Sequence, residues 1–94
     1  MEVRVRSVGA IRQVLGAAEL PVTVSEGTTL SGLLQRLGED IEGFAPYAVK
    51  AQEAAAYAPL RIVVNGRDVT PGQRESTVLK DGDDVLILLP IAGG

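Results

Sequence analysis

The sequence predicts an α+β domain: a sheet of four to five strands with one main helix packed on one face, plus short extra helices. Three observations lead there. Several segments alternate apolar and polar residues with a period of two, as a strand with one buried face does. One stretch, beginning at Leu30, keeps helical spacing over more than two turns. The segments run strand, strand, helix, strand, short strand, strand, and one amphipathic helix is enough to cover one face of such a sheet. At 94 residues the chain is one domain. Residues 1–90 are expected to form it, with 43–59 an inserted Ala-rich helical or loop segment and 91–94 a flexible Gly-Gly tail.

Val3 and Val5 alternate with Glu2, Arg4 and Arg6, which reads as the first strand. Gly9 interrupts it. Ile11, Val14 and Leu15 then share one side of a short helical turn, and Gly16 suits its left-handed end. Leu20, Val22 and Val24 alternate again. Pro21 among them has no N–H to donate, which argues for a sheet edge. Leu30, Leu33, Leu34 and Leu37 follow at i, i+3, i+4 and i+7, with Ile41 continuing the stripe. Thr28 or Thr29 is placed to cap this helix. Gly32 and Gly38 each weaken it by ~1 kcal/mol relative to Ala, so packing of the Leu face has to hold it.

Segment 43–59 is compositionally biased. Pro46 and Pro59 bracket an Ala-rich stretch with propensity for a second short helix. The three aromatic residues, Phe44, Tyr47 and Tyr57, all lie here. They either cover the open end of an aliphatic core or form a partner-facing flap. Leu60-Arg61-Ile62-Val63-Val64 has high strand propensity. Asn65-Gly66 suits both left-handed positions of a type I′ hairpin turn, and Arg67-Asp68-Val69 is the return strand. Thr70-Pro71-Gly72-Gln73 is a loop, and Asp81-Gly82-Asp83-Asp84 is a turn. The last strand is Val85-Leu86-Ile87-Leu88-Leu89, and Pro90 ends its hydrogen bonding.

Composition removes whole classes of chemistry. There is no Cys and no His. Disulfides, thiolate or imidazole metal sites, Cys nucleophiles and His general bases are therefore excluded. The net charge of −3 disfavours nucleic acid as a partner. Charged residues at Glu2, Arg4 and Arg6 do not fit a secretion signal, and no apolar run reaches the ~18–20 residues of a membrane span. The expectation is a cytoplasmic protein with no membrane partner. Phosphate-binding glycine motifs are absent, and the acidic turn at 81–84 lacks calcium-loop spacing.

The C-terminal segment stands apart. Residues 85–94 carry no charged side chain. Val85, Ile87 and Leu89 point to one face of the strand, Leu86 and Leu88 to the other. Apolar residues on both faces place this strand centrally. Because one helix covers one face, the other either meets 43–59 or stays partly open as an apolar patch, which often marks a partner site. Past Pro90, four small or apolar residues span about 13 Å when extended. Gly93 and Gly94 have no Cβ and fit a slot that admits little more than backbone. Gly-Gly falls at a chain end by chance about 0.5% of the time at the usual ~7% glycine frequency. A glycyl carboxylate is unhindered but a poor electrophile, so its acyl chemistry needs activation by another enzyme.

Three stretches carry a family likeness: Ile62-Val63-Val64-Asn65-Gly66-Arg67, Leu79-Lys80-Asp81-Gly82-Asp83-Asp84-Val85 and Leu89-Pro90-Ile91-Ala92-Gly93-Gly94. With them the chain resembles a ubiquitin-like β-grasp sulfur carrier of the MoaD/ThiS type, whose MoaD branch is the small subunit of molybdopterin synthase. The likeness covers nearly the whole chain except 43–59. It implies a mixed sheet and a carrier with no catalytic residue and no bound cofactor of its own. An adenylyltransferase resembling ubiquitin-activating enzyme would use ATP to convert the Gly94 carboxylate to an acyl-adenylate. A persulfide sulfur would displace AMP, leaving a Gly94 thiocarboxylate. Pro90, Ile91, Ala92 and Gly93 would seat the tail in a partner, and Leu86 or Leu88 would dock it. The sulfur acceptor would be an enzyme such as the large subunit of molybdopterin synthase. The same likeness allows conjugation of Gly94 to lysines, or sulfur delivery to tRNA, thiamin or cysteine synthesis.

Overall fold

The computed structural model describes residues 1–45, 47 and 60–88. Five strands form one mixed sheet: β1 (Glu2–Val8), β2 (Glu19–Thr23), β3 (Arg61–Val64), β4 (Arg67–Val69) and β5 (Asp84–Leu88). Their spatial order is β2-β1-β5-β3-β4. β5 lies parallel to β1 and antiparallel to β3. The strand rich in apolar residues on both faces is thus the central one. β2, which carries Pro21, is an edge strand. Val24 and Met1 exchange backbone hydrogen bonds of 2.9 Å. The antiparallel register then turns Leu20 and Val22 toward β1 and leaves the position of Pro21 facing outward, where a missing N–H costs the ladder nothing.

Alternation along the strands separates two faces. On the inner face Val3, Val5, Ile62, Val85 and Ile87 are all within 1% of full burial. The main helix α2 (Leu30–Asp40) lays Leu30, Leu33, Leu34 and Leu37 on them. Of the two candidate caps, Thr29 is used: its Oγ1 accepts the Gly32 N–H at 3.1 Å. Ile41 does not extend the helix. It adopts an extended conformation and ends it, while its N–H still donates to the Leu37 carbonyl at 2.8 Å. The short helix α1 (Ala10–Leu15) buries Ile11 and Leu15 and ends at Gly16, whose φ of 82° is the left-handed conformation anticipated there.

Phe44 is fully buried in the core and Tyr47 stacks against it with ring centroids 6.2 Å apart. Two of the three aromatics therefore close the end of the aliphatic core. Tyr57 and the Ala-rich stretch lie outside the described residues, as does Leu89 at the expected end of the last strand. Asn65 and Gly66 take φ values of 51° and 84°, the two left-handed positions of the β3–β4 turn. Leu60, expected to open β3, precedes the strand but is buried.

Arg74 has no counterpart among the sequence expectations. It is 1% exposed. Its guanidinium donates to the Leu60 carbonyl at 3.0 Å, and its own carbonyl accepts the Ser31 N–H at the start of α2. Burial lowers its pKa, and the charge of Asp68 opposes that shift. The Arg74 side chain thus ties the loop to the entry of β3, and its backbone carbonyl ties the loop to the helix.

Candidate functional site

The sequence nominates two parts of a site: an apolar docking face at Leu86 and Leu88, and the tail 90–94. Pro90, Ile91, Ala92, Gly93 and Gly94 lie outside the described residues. Leu86, Leu88 and the strand β5 that carries them are described.

Pairing registers define this face. Leu86 lies between Arg6 on β1 and Val63 on β3, and Leu88 lies between Val8 and Arg61. Val8, Val63, Leu86 and Leu88 therefore form a continuous apolar stripe across three strands, on the side of the sheet away from α2. Leu86, Leu88 and Val63 are half-buried and Val8 is 56% exposed. Part of this apolar surface is accessible; most of segment 43–59, the alternative cover for it, lies outside the described residues. Sequence reading found Leu86 and Leu88 but missed Val8 and Val63. Val8 follows Ser7 and precedes Gly9, so it reads as the end of an element. Only the pairing to Leu88 places it on this face.

Ion pairs frame the stripe. Arg6 makes two hydrogen bonds to Asp84, from Nε at 2.8 Å and from Nη2 at 2.6 Å. The Asp84 hydrogen bond, helped by its charge, raises the Arg6 pKa, so this guanidinium stays charged at every working pH. Arg4 pairs with Glu19 at 2.7 Å and Arg61 with Asp68 at 3.0 Å. Each of these three cations is neutralised by a neighbour on the same face. The patch therefore presents an apolar centre with a polar, locally neutral rim, the anatomy of a protein-binding surface.

The turn before β5 is fastened at three points. Glu2 N–H donates to Asp81 Oδ1 and Gly82 N–H to the Glu2 carbonyl, both at 2.8 Å. The Asn65 side chain donates to Asp83 Oδ1 and accepts from the Asp84 N–H, both at 2.9 Å. Lys80 N–H donates to Asp83 Oδ2 at 2.7 Å. These bonds fix where β5 begins. Among the described residues there is no cluster of three or more acidic side chains suited to hold a metal. No helix among them is long and apolar enough to cross a membrane.

A mixed five-stranded sheet, the long helix α2 on its inner face and an apolar outer stripe define an α+β domain of the ubiquitin-like β-grasp class. The ThiS family model matches residues 5–94, and the chain belongs to that family. It is 29% identical over 94 residues, the whole of both chains, to small archaeal modifier protein 3 of Haloferax volcanii. Its structure resembles that of a putative molybdopterin converting factor subunit 1 from Pyrococcus furiosus, with a TM-score of 0.75 and 27% identity over 97% of this chain and 99% of that one. The fold also matches a chain from the complex of subunits 1 and 2 of the Helicobacter pylori molybdopterin-converting factor, with a TM-score of 0.62 and 23% identity over all of both chains. These likenesses define a family of small sulfur carriers and ubiquitin-like modifiers.

Proposed function

We propose that this protein is a sulfur carrier whose Gly94 carboxylate is the group that other enzymes act on, and that its acceptor pathway is molybdopterin synthesis. The observation that carries this reading is the family match, which runs through to Gly93-Gly94. In the proposed cycle a Gly94 carboxylate oxygen attacks the α-phosphorus of ATP on an adenylyltransferase, and pyrophosphate leaves. The terminal sulfur of a persulfide then attacks the acyl carbon and AMP leaves. Reductive cleavage of the resulting acyl disulfide by a thiol frees the thiocarboxylate. The chain supplies no acid or base. It supplies an unhindered acyl group, a tail of Pro90, Ile91, Ala92 and Gly93 narrow enough for a partner's channel, and a docking stripe at Leu86 and Leu88.

Support for the molybdopterin branch comes from the likeness to the converting-factor subunit at 27% identity. That the Helicobacter relative is found in complex with a second subunit fits a partner docking on the sheet. The test is intact-mass spectrometry after incubation with the activating enzyme, ATP and a sulfur donor. Exchange of one terminal oxygen for sulfur is the expected result, and an unchanged mass refutes the carrier role. Transfer of that sulfur to a molybdopterin precursor by a synthase large subunit then tests the pathway.

A second reading is favoured by a separate observation, the full-length likeness to a protein named as an archaeal modifier. In that case the Gly94 acyl-adenylate is taken by lysine amines, forming isopeptides. High-mass conjugates on denaturing gels that depend on Gly94 are the expected sign.

A further inference from the structure

A second surface lies on the opposite side of the sheet from the docking stripe. Val64 and Arg67 are paired in register, and Val69 follows two residues on, so all three face the α2 side. The groove beside them is not lined by α2, whose N-cap Thr29 is instead bridged to Val78. The chain from Ser76 to Lys80 runs along it, and the open groove measures about 440 Å³. Its apolar lining is Val64 and Val69, 8% and 5% exposed, with Val78 standing out at 55% exposed. Val78 and Val8 are the exposed large hydrophobics among the described residues, and they lie on opposite sides of the sheet.

The charges in this groove differ in kind from those on the docking face, where Arg4, Arg6 and Arg61 each pair with a carboxylate. Arg67 and Lys80, which line the groove, are exposed and make no ion pair among the described residues. Asp83 is the one carboxylate lining it. Both its oxygens are engaged, accepting from the Asn65 amide and from the Lys80 backbone N–H, so it is held in the turn rather than offered to either cation. A chain of net charge −3 thus keeps two cations uncommitted beside an exposed valine.

We propose that this groove binds a short acidic segment of a partner protein, with carboxylates on Arg67 and Lys80 and an intervening apolar side chain on Val78. Complementary charge sets the occupant's sign. The valine lining calls for an apolar group as well, which a free inorganic anion lacks. Since the groove and the Leu86–Leu88 stripe face opposite ways, both are open to occupants at once, and the groove needs no part of the tail chemistry.

The experiment is a titration of the ¹⁵N-labelled full chain with the blocked peptide acetyl-Asp-Leu-Asp-Leu-Asp-amide. Saturable amide shifts are expected at 64–69 and 76–83. Arg67→Gln and Lys80→Gln should each weaken binding roughly two- to fivefold, the worth of one exposed charge pair, and added salt should weaken it further. Val78→Ser should weaken it without altering the salt dependence. All three positions are exposed, so these variants keep the fold. Absence of shifts, shifts confined to the Leu86–Leu88 face, or equal binding of the asparagine-for-aspartate peptide would each overturn the proposal. So would inorganic phosphate giving the same shifts at equal strength, since that marks a small-anion site.

Discussion

Neighbouring residues on β5 offer the sharpest contrast in the molecule. Ile87 is 0% exposed on the inner face, while Leu86, one residue earlier, is half-buried on the outer face. Ile87→Ala removes three carbons from a closed core. At ~0.8 kcal/mol per buried carbon, the transfer loss is about 2.4 kcal/mol. A residual cavity adds to it, for a total of ~2.5–5 kcal/mol. Leu86→Ala removes the same number of carbons, but part of their surface already meets water and no closed cavity forms, so the expected cost is ~1.5–2 kcal/mol. In a domain of this size each kcal/mol shifts the melting temperature by roughly 4–8 °C. Differential scanning calorimetry should therefore place Ile87→Ala at least about 10 °C below the parent, with Leu86→Ala melting above it. The functional ranking should be reversed at limiting partner concentration: Leu86→Ala loses engagement with the activating enzyme, while folded Ile87→Ala retains it. Equal destabilisation by the two substitutions would refute the assignment of opposite faces. A Leu86→Ala protein activated as well as the parent would refute the stripe as a docking surface.

Further predictions rest on other parts of the chain. Deleting Gly94, or adding one residue after it, should abolish thiocarboxylation measured by intact mass while leaving the circular dichroism spectrum and melt unchanged. Leu79→Ala, at a 2% exposed position, should cost ~2–5 kcal/mol in a denaturant melt. Thr29→Ala removes the side-chain acceptor for the Gly32 N–H and should cost ~0.5–2 kcal/mol by the same assay. Gly66→Ala forces a Cβ into a backbone of φ 84° and should cost ~1–2 kcal/mol. A melt identical to the parent's would show that the β3–β4 turn is not left-handed there.

The legible parts of this protein were those written in local spacing. Val3 and Val5 alternate because a strand turns its side chains through half a circle per residue, and both are buried. The Leu30–Leu37 stripe marks a helix because 3.6 residues per turn bring those positions together. Asn65-Gly66 names its own turn, since few residue pairs accept two left-handed conformations in succession. The apolar character of the last strand, read on both faces, was enough to place it at the centre of the sheet and to expose Leu86 and Leu88 as surface candidates. The uncharged end with its two glycines is the sequence feature on which the proposed acyl chemistry rests, because that chemistry calls for the absence of side chains and not for their arrangement.

Other features belonged to the tertiary structure alone. No spacing rule pairs Val8 with Leu88 or Arg6 with Asp84, because those partners are about eighty positions apart and meet only when β1 and β5 run side by side. Arg74 reads as a solvated loop residue until the loop closes over Leu60 and the start of α2 and removes it from water. Arg67 and Lys80 look like two ordinary surface cations until the hairpin corner and the 76–80 segment bring them to the same groove. Backbone geometry repeats every few residues, so short windows report it. Proximity between distant side chains depends on which elements pack together, and that choice is made by the whole core at once.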